Sequence, residues 1–258
     1  MTGPLLKLSG FTRTFGGLVA LDHLDLELAE GEILGLIGPN GSGKTTTFNV
    51  LTGIYAASAG RAEFQGQDIT NISAQAVCER GVARTFQRSR LCLSLSIFDN
   101  IMIGKHIRLN RGLVFNLFRR RAFAAAFEAA FAEARDLVRL FDPPLADRMF
   151  ESIGAFPMID RRRIEICRAL ISQPKLLLLD EPSAGMTEDE TRQLMDDILT
   201  VKKRLAGLSI IVIEHEMGII ERITNRCAVL NFGRKIAEGT YREVAADRQV
   251  QEAYLGVE

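Results

Sequence analysis

Gly38-Pro39-Asn40-Gly41-Ser42-Gly43-Lys44-Thr45 has the spacing G-x-x-x-x-G-K-[ST], which can wrap an anion in backbone N–H groups and answer its charge with an ammonium. The glycines permit the tight turn, and a helix expected to open near Lys44 adds the positive end of its dipole. Lys44 suits the β- and γ-phosphates of a nucleoside triphosphate, and the Thr45 hydroxyl, with Thr46 beside it, suits a magnesium ion. A second group of candidates closes the apolar run Leu176-Leu177-Leu178-Leu179-Asp180-Glu181. Adjacent side chains on a strand point to opposite faces, so the two carboxylates must do different work. Asp180 is the candidate magnesium ligand, and Glu181 the candidate for polarising a water.

The elements that must position these groups are legible around them. Short β-rich runs over 5–8, 24–28 and 33–37 predict strands, and 45–55 predicts a helix directly after the Gly-rich turn. Further strands are predicted over 176–180, 209–213 and 227–231, the first two as apolar runs covered on both faces. Between them a helix is predicted to begin near Thr187, where Thr187 and Glu190 have capping-box spacing. From Ser89 to Ser172 the β signal disappears, and Phe123, Phe127 and Phe131 recur every four residues as one apolar helical stripe for a core. The organisation expected is a nucleotide-binding α/β core over 1–88 and 173–258, with a helical subdomain inserted over 89–172.

Composition sets the outer bounds. The 258 residues are 47% hydrophobic and 25% charged with 7 prolines, a globular mixture that excludes disordered and collagen-like classes. The 32 Lys+Arg balance 32 Asp+Glu, so nothing global draws the chain to nucleic acid or an anionic membrane. The four cysteines (Cys78, Cys92, Cys167, Cys227) have no CxxC spacing, and the three histidines (His23, His106, His215) are scattered, which argues against a disulfide framework or zinc centre. The first eight residues lack the features of a secretory signal. Apolar runs stay far below the roughly 20 residues of a membrane span. A cytoplasmic chain is expected, reaching the inner face of a membrane only through partners.

Taken together, these motifs resemble the ATP-binding subunits of ABC transporters. Gln87, in Ala83-Arg84-Thr85-Phe86-Gln87, matches the family's Q-loop glutamine, which touches Mg²⁺ and reports to the membrane subunits. His215, in Ile213-Glu214-His215-Glu216-Met217, matches the switch histidine at the γ-phosphate, and Phe15 stands where the family stacks an aromatic on adenine. Ser183-Ala184-Gly185-Met186 follows Asp-Glu-Pro as the family's D-loop does. Phe15-Gly16-Gly17-Leu18-Val19-Ala20-Leu21, the run 81–87, the insert after Ile101, Arg162-Arg163-Ile164-Glu165-Ile166 and Ala253-Tyr254-Leu255-Gly256 are similar to the branched-chain amino acid importer ATPases. The long insert resembles the larger of their paired ATPase subunits. The fold implied is a P-loop ABC ATPase core with an antiparallel β portion and a helical subdomain. The cofactors implied are ATP and Mg²⁺. Glu181, His215 and Gln87 are implied as catalytic, and Thr45, Gln87 and Asp180 as metal ligands. The implied partners are a sister ATPase subunit, two transmembrane permeases and, indirectly, a solute-binding protein.

One stretch departs from the family. Its signature, typically Leu-Ser-Gly-Gly-Gln, falls on Phe156-Pro157-Met158-Ile159-Asp160, just before a helix expected over 161–172. Pro157 has neither hydroxyl nor N–H, Ile159 is branched where a glycine is usual, and Asp160 brings negative charge toward a negative ligand. Ser152-Ile153-Gly154 lies nearby, but aligning it requires a gap before the arginine-rich helix. The reading favoured is an importer ATPase working as an unequal pair with a sister subunit. The alternatives are a nucleotide-gated regulatory subunit with little turnover, or a soluble ABC protein of translation or DNA repair.

Overall fold

The computed structural model of the chain describes residues 3–87, 90–105 and 120–255. Residues 106–119 of the insert, with His106, lie outside the described residues, as do Gly256 and the side chain of Phe123.

One compact unit gathers the described residues of 1–84, 175–182 and 206–258. Its first sheet is antiparallel, with β1 (Leu6–Phe15), β2 (Leu18–Leu28), β4 (Ala59–Phe64) and β5 (Gln67–Asp68) in the order β2-β1-β4-β5. The second contains β3 (Ile33–Ile37), β6 (Val82–Arg84), β7 (Leu176–Asp180), β8 (Ser209–Ile213), β9 (Arg226–Asn231) and β10 (Arg234–Gly239). Its order is β10-β9-β3-β8-β7-β6, parallel except for the β9–β10 hairpin. Strands β3, β7 and β8 are buried at every residue, as continuous apolar runs require. The first hairpin is longer than the strands predicted over 5–8 and 24–28. Register shifts between Leu8 and Thr14 interrupt the period-two pattern and hide its outer half from the sequence.

Helix α1 (Lys44–Leu51) follows β3 and stops earlier than the predicted residue 55. Gly53 breaks it in the left-handed region (φ +71), where a Cβ would sit 2.6 Å from the Ile72 carbonyl oxygen. Phe48 and Leu51 of α1 join a core with Leu34, Leu36 and Leu178 of the second sheet and Leu6, Phe11 and Phe64 of the first. Each such buried side chain contributes roughly 1.5–3 kcal/mol. Helices α2 (Ala74–Glu79), α8 (Met217–Ile223), α9 (Tyr241–Ala246) and α10 (Arg248–Leu255) complete this unit.

The second unit takes the described residues of 85–174 and 183–205. It holds α3 (Ile97–Gly104), α4 (Arg120–Phe141), α5 (Pro143–Ala146), α6 (Met158–Leu170) and α7 (Glu188–Arg204). Helix α7 thus groups with helices although it lies outside the stretch 89–172. Arg163 of α6, 4% exposed, explains the grouping. It reaches Asp197 of α7 at 2.8 Å, Asp142 at 2.9 Å and Asp160 at 3.0 Å. Thr187 caps α7 and Glu190 returns the bond, completing the capping box predicted from their spacing. Gly104 admits α6 closely, since a Cβ there would lie 1.9 Å from the Arg168 carbonyl oxygen. The phenylalanine stripe is less buried than expected. Phe98 takes the edges of Phe127 and Phe131, while Phe127 stays 40% exposed and Phe150, stacked on Phe131, 67% exposed.

All four cysteines are unbridged. Among the described residues no helix is long and apolar enough to cross a membrane.

Candidate functional site

The Gly-rich stretch forms the turn between β3 and α1, at the carboxyl edge of a parallel sheet where open α/β folds take their ligands. Gly38 lies at φ +144, and a Cβ there would stand 2.1 Å from the Leu230 carbonyl oxygen. Gly43, which precedes α1 at φ +107, has the Ala20 carbonyl oxygen 2.8 Å from its missing Cβ. No other residue type fits these two positions. Lys44 is 5% exposed and donates to the carbonyls of Gly38 at 2.8 Å and Pro39 at 2.9 Å. Burial holds its ammonium below the ordinary lysine range, opposed by the charges of Glu181 and Asp180. Ser42 is 2% exposed, and its Oγ has no hydrogen-bond partner among the described residues. Asn40, Gly41 and Thr45 are exposed, and Pro39 and Thr46 half-buried.

Across the site, β7 ends at Asp180, which is 2% exposed. Burial raises its carboxyl above the usual range, opposed by the hydrogen bond and charge of Arg84. Glu181 turns into the left-handed region at φ +47, its amide donating to the Ile213 carbonyl at 2.9 Å. The turn separates the two carboxylates and brings Glu181 Oε1 to 2.6 Å from His215 Nε2, just past β8. Lys44, Asp180, Glu181 and His215 therefore converge at adjacent strand ends. Arg84, which sequence reasoning gave no role, stands behind Asp180 rather than among them. Its Nη2 lies 2.7 Å from Asp180 Oδ2. The only signal for it was a charged residue closing a short apolar strand.

Phe15 ends β1 at 36% exposure, edge-on to Tyr55 at 5.2 Å, with the Arg13 guanidinium 4.3 Å over its ring. Gln87 belongs to the helical unit, where its carbonyl and that of Phe86 accept from Arg162 at 3.0 and 3.2 Å. Arg162 is itself buried against Glu165 at 2.8 Å. Helix α6 begins at Met158, three residues before the predicted 161, with Pro157 as an N-cap that makes no side-chain bond. Phe156 and Ile159 are buried, Met158 is 40% exposed, and Asp160 pairs with Arg163. Ser152 precedes a separate 3-10 turn, Ile153–Ala155, and bonds the Leu93 carbonyl. It is not the start of α6.

The donors fit a small hard cation and a polyphosphate. Thr45 and Asp180 offer oxygens, the donor type Mg²⁺ prefers, whereas Gln87 belongs to the other unit. Among the described residues no three His, Cys, Asp or Glu side chains form a metal cage. The buried Ser42 hydroxyl and the Gly38 and Gly43 positions that exclude a Cβ suit an anion at the loop.

The profile of the family described as ABC transporter matches residues 21–184, and that described as branched-chain amino acid ATP-binding cassette transporter matches 234–258. The chain is 37% identical over 257 residues to the high-affinity branched-chain amino acid transport ATP-binding protein LivG of Salmonella typhimurium, covering 99% of each. It is 33% identical to the corresponding protein BraF of Pseudomonas aeruginosa, again over 99% of each. Among solved structures, an ATP-binding cassette of an ABC transporter in its ADP conformation superposes with a TM-score of 0.83 at 28% identity. That match covers 99% of this chain and 100% of the other.

Proposed function

Because the chain belongs to the ABC transporter family as an ATP-binding subunit of the branched-chain amino acid importer type, we propose that it hydrolyses ATP to drive import of amino acids or related small solutes. The observation that carries this is the meeting of Lys44 with Asp180, Glu181 and His215 in front of the phosphate loop. Phosphoryl transfer asks a protein for positioning and charge compensation more than for covalent chemistry. The backbone of 38–45 and Lys44 bind the β- and γ-phosphates, and Phe15 takes the adenine. Thr45, Asp180 and Gln87 would hold Mg²⁺, which supplies charge neutralisation at the phosphate oxygens when bound. Glu181 orients a water and accepts its proton, and His215, 2.6 Å away, fixes the direction of that carboxylate.

In this proposal the core is 1–88 with 173–258 and the helical subdomain 89–172. The chain sits on the inner face of the membrane through two permeases, in reach of a solute-binding protein, and works beside a sister ATPase. The start of α6 supports an unequal pair. Pro157 and Ile159 stand where the family presents serine and glycine to the other subunit's ATP, and Asp160 beside them adds a negative charge. ATP on this chain's own loop would face the sister's signature and turn over, whereas ATP on the sister's loop would turn over slowly. The same observation favours, as second reading, a regulatory subunit with little activity alone.

The test is co-expression with neighbouring permease and ATPase subunits, followed by ATPase assay in vesicles with and without loaded solute-binding protein. Substrate-stimulated hydrolysis lost in Glu181→Gln is expected. Hydrolysis indifferent to the permeases would overturn the transport role.

A further inference from the structure

We propose that Arg84 is a positioning residue for the magnesium site, tying the carboxylate of Asp180 to the helix that carries Thr45. Its place in the chain makes this possible. Arg84 closes the edge strand β6, paired with Leu178 of β7, so its side chain emerges beside the end of the strand that delivers Asp180. The guanidinium then forks. Nη2 donates to Asp180 Oδ2 at 2.7 Å, while Nη1 reaches Asn49 Oδ1 at 2.8 Å and Thr52 Oγ1 at 3.4 Å. Its carbon lies 5.3 Å from the centre of the Phe48 ring. Phe48 and Asn49 lie on α1, and Thr52 caps its end. One planar group thus spans the two elements that supply candidate magnesium ligands, Thr45 from α1 and Asp180 from β7.

Stability alone is a poor reason for an arginine here. The side chains of Arg84 and Asp180 are 5% and 2% exposed, and a buried ion pair gains little over apolar groups of the same size. A fixed carboxylate is a better reason. With Oδ2 held by Arg84, the rotamer of Asp180 is set before a cation would arrive. Groups that orient metal ligands from behind are commonly worth 10- to 100-fold in metal affinity. Lysine cannot substitute fully, because a point charge cannot satisfy Asp180 and Asn49 in one plane.

This inference rests on the magnesium–nucleotide reading above. The experiment measures ATP affinity of the full chain by calorimetry in EDTA and in excess Mg²⁺, and takes the ratio as the magnesium gain. Arg84→Met is expected to leave the EDTA affinity within about twofold and to shrink the gain about tenfold. Arg84→Lys should recover part of it. Asn49→Leu, which spares the ion pair, should lose about threefold. If Arg84→Met does not fold, the lysine and Asn49 variants carry the same comparison. A gain unchanged in Arg84→Met, or equal losses with and without Mg²⁺, would overturn the role of Arg84 alone. A wild-type chain whose ATP affinity ignores Mg²⁺ would overturn the functional reading itself.

Discussion

Helix α1 opens behind Gly43, whose positive φ and missing Cβ bring the chain against Ala20 and leave Lys44 and Thr45 at the first turn. Helix α6 opens behind Pro157, with no side-chain cap, Met158 outward, Ile159 buried and Asp160 in its first turn. Both helices carry the same dipole, yet only the first is dressed to receive an anion. On the proposed function, a helix N-terminus takes phosphate only when the residues before it supply open amides and compatible charge. At α6 the carboxylate of Asp160 answers Arg163 instead, and the positive end of the dipole is spent inside the chain.

The largest expected effect tests that inequality directly. Glu181→Gln should lower turnover of the assembled transporter about 10²- to 10⁴-fold, as loss of a general base does. The matching change in the sister should cost far less, and equal losses in steady-state ATPase assays would erase the contrast between the two helix starts. Next in size, Lys44→Ala should weaken ATP binding about 10- to 100-fold, the worth of a charge-assisted contact. Unchanged affinity by calorimetry would remove α1 from the phosphate site. Converting the poor start toward the good one should act in the opposite direction. Pro157→Ser with Ile159→Gly is expected to raise ATPase activity of the isolated chain about tenfold. The melting temperature should fall at the same time, because Ile159 is only 8% exposed. A rate that does not rise would show that this start is not what limits turnover. The smallest effect separates capping from anion binding: Thr187→Ala should cost about 1 kcal/mol in denaturant unfolding, whereas Pro157→Ala loses no cap bond.

The parts legible in the sequence were those whose chemistry is local. Eight consecutive residues spell the loop, an apolar run followed by two acids spells β7, and Thr187 with Glu190 spells a helix start. Arg84 was not legible because its partners, Asn49, Thr52 and Asp180, are up to 96 positions away. The grouping of α7 with the helices was hidden for the same reason, since it depends on Arg163 meeting Asp197 across 34 positions. The outer half of the first hairpin was lost to register shifts that break the alternation a strand normally shows. Phe127 shows a further limit: period locates a stripe but not how much of it a neighbour covers.

The closing helix α10 also reaches the loop. Its Tyr254 lies near the Gly38 backbone, and burial pushes its phenol up to about 12. For anyone handling this protein, that makes its two ends unequal as attachment points. A tag or fluorophore joined beyond Leu255 would pull on the helix that rests against the first glycine of the phosphate loop. One joined ahead of β1 would load a strand held on both sides, by β2 and by β4. Reporters of nucleotide occupancy therefore belong at the far end of the chain, and neutral handles at its beginning.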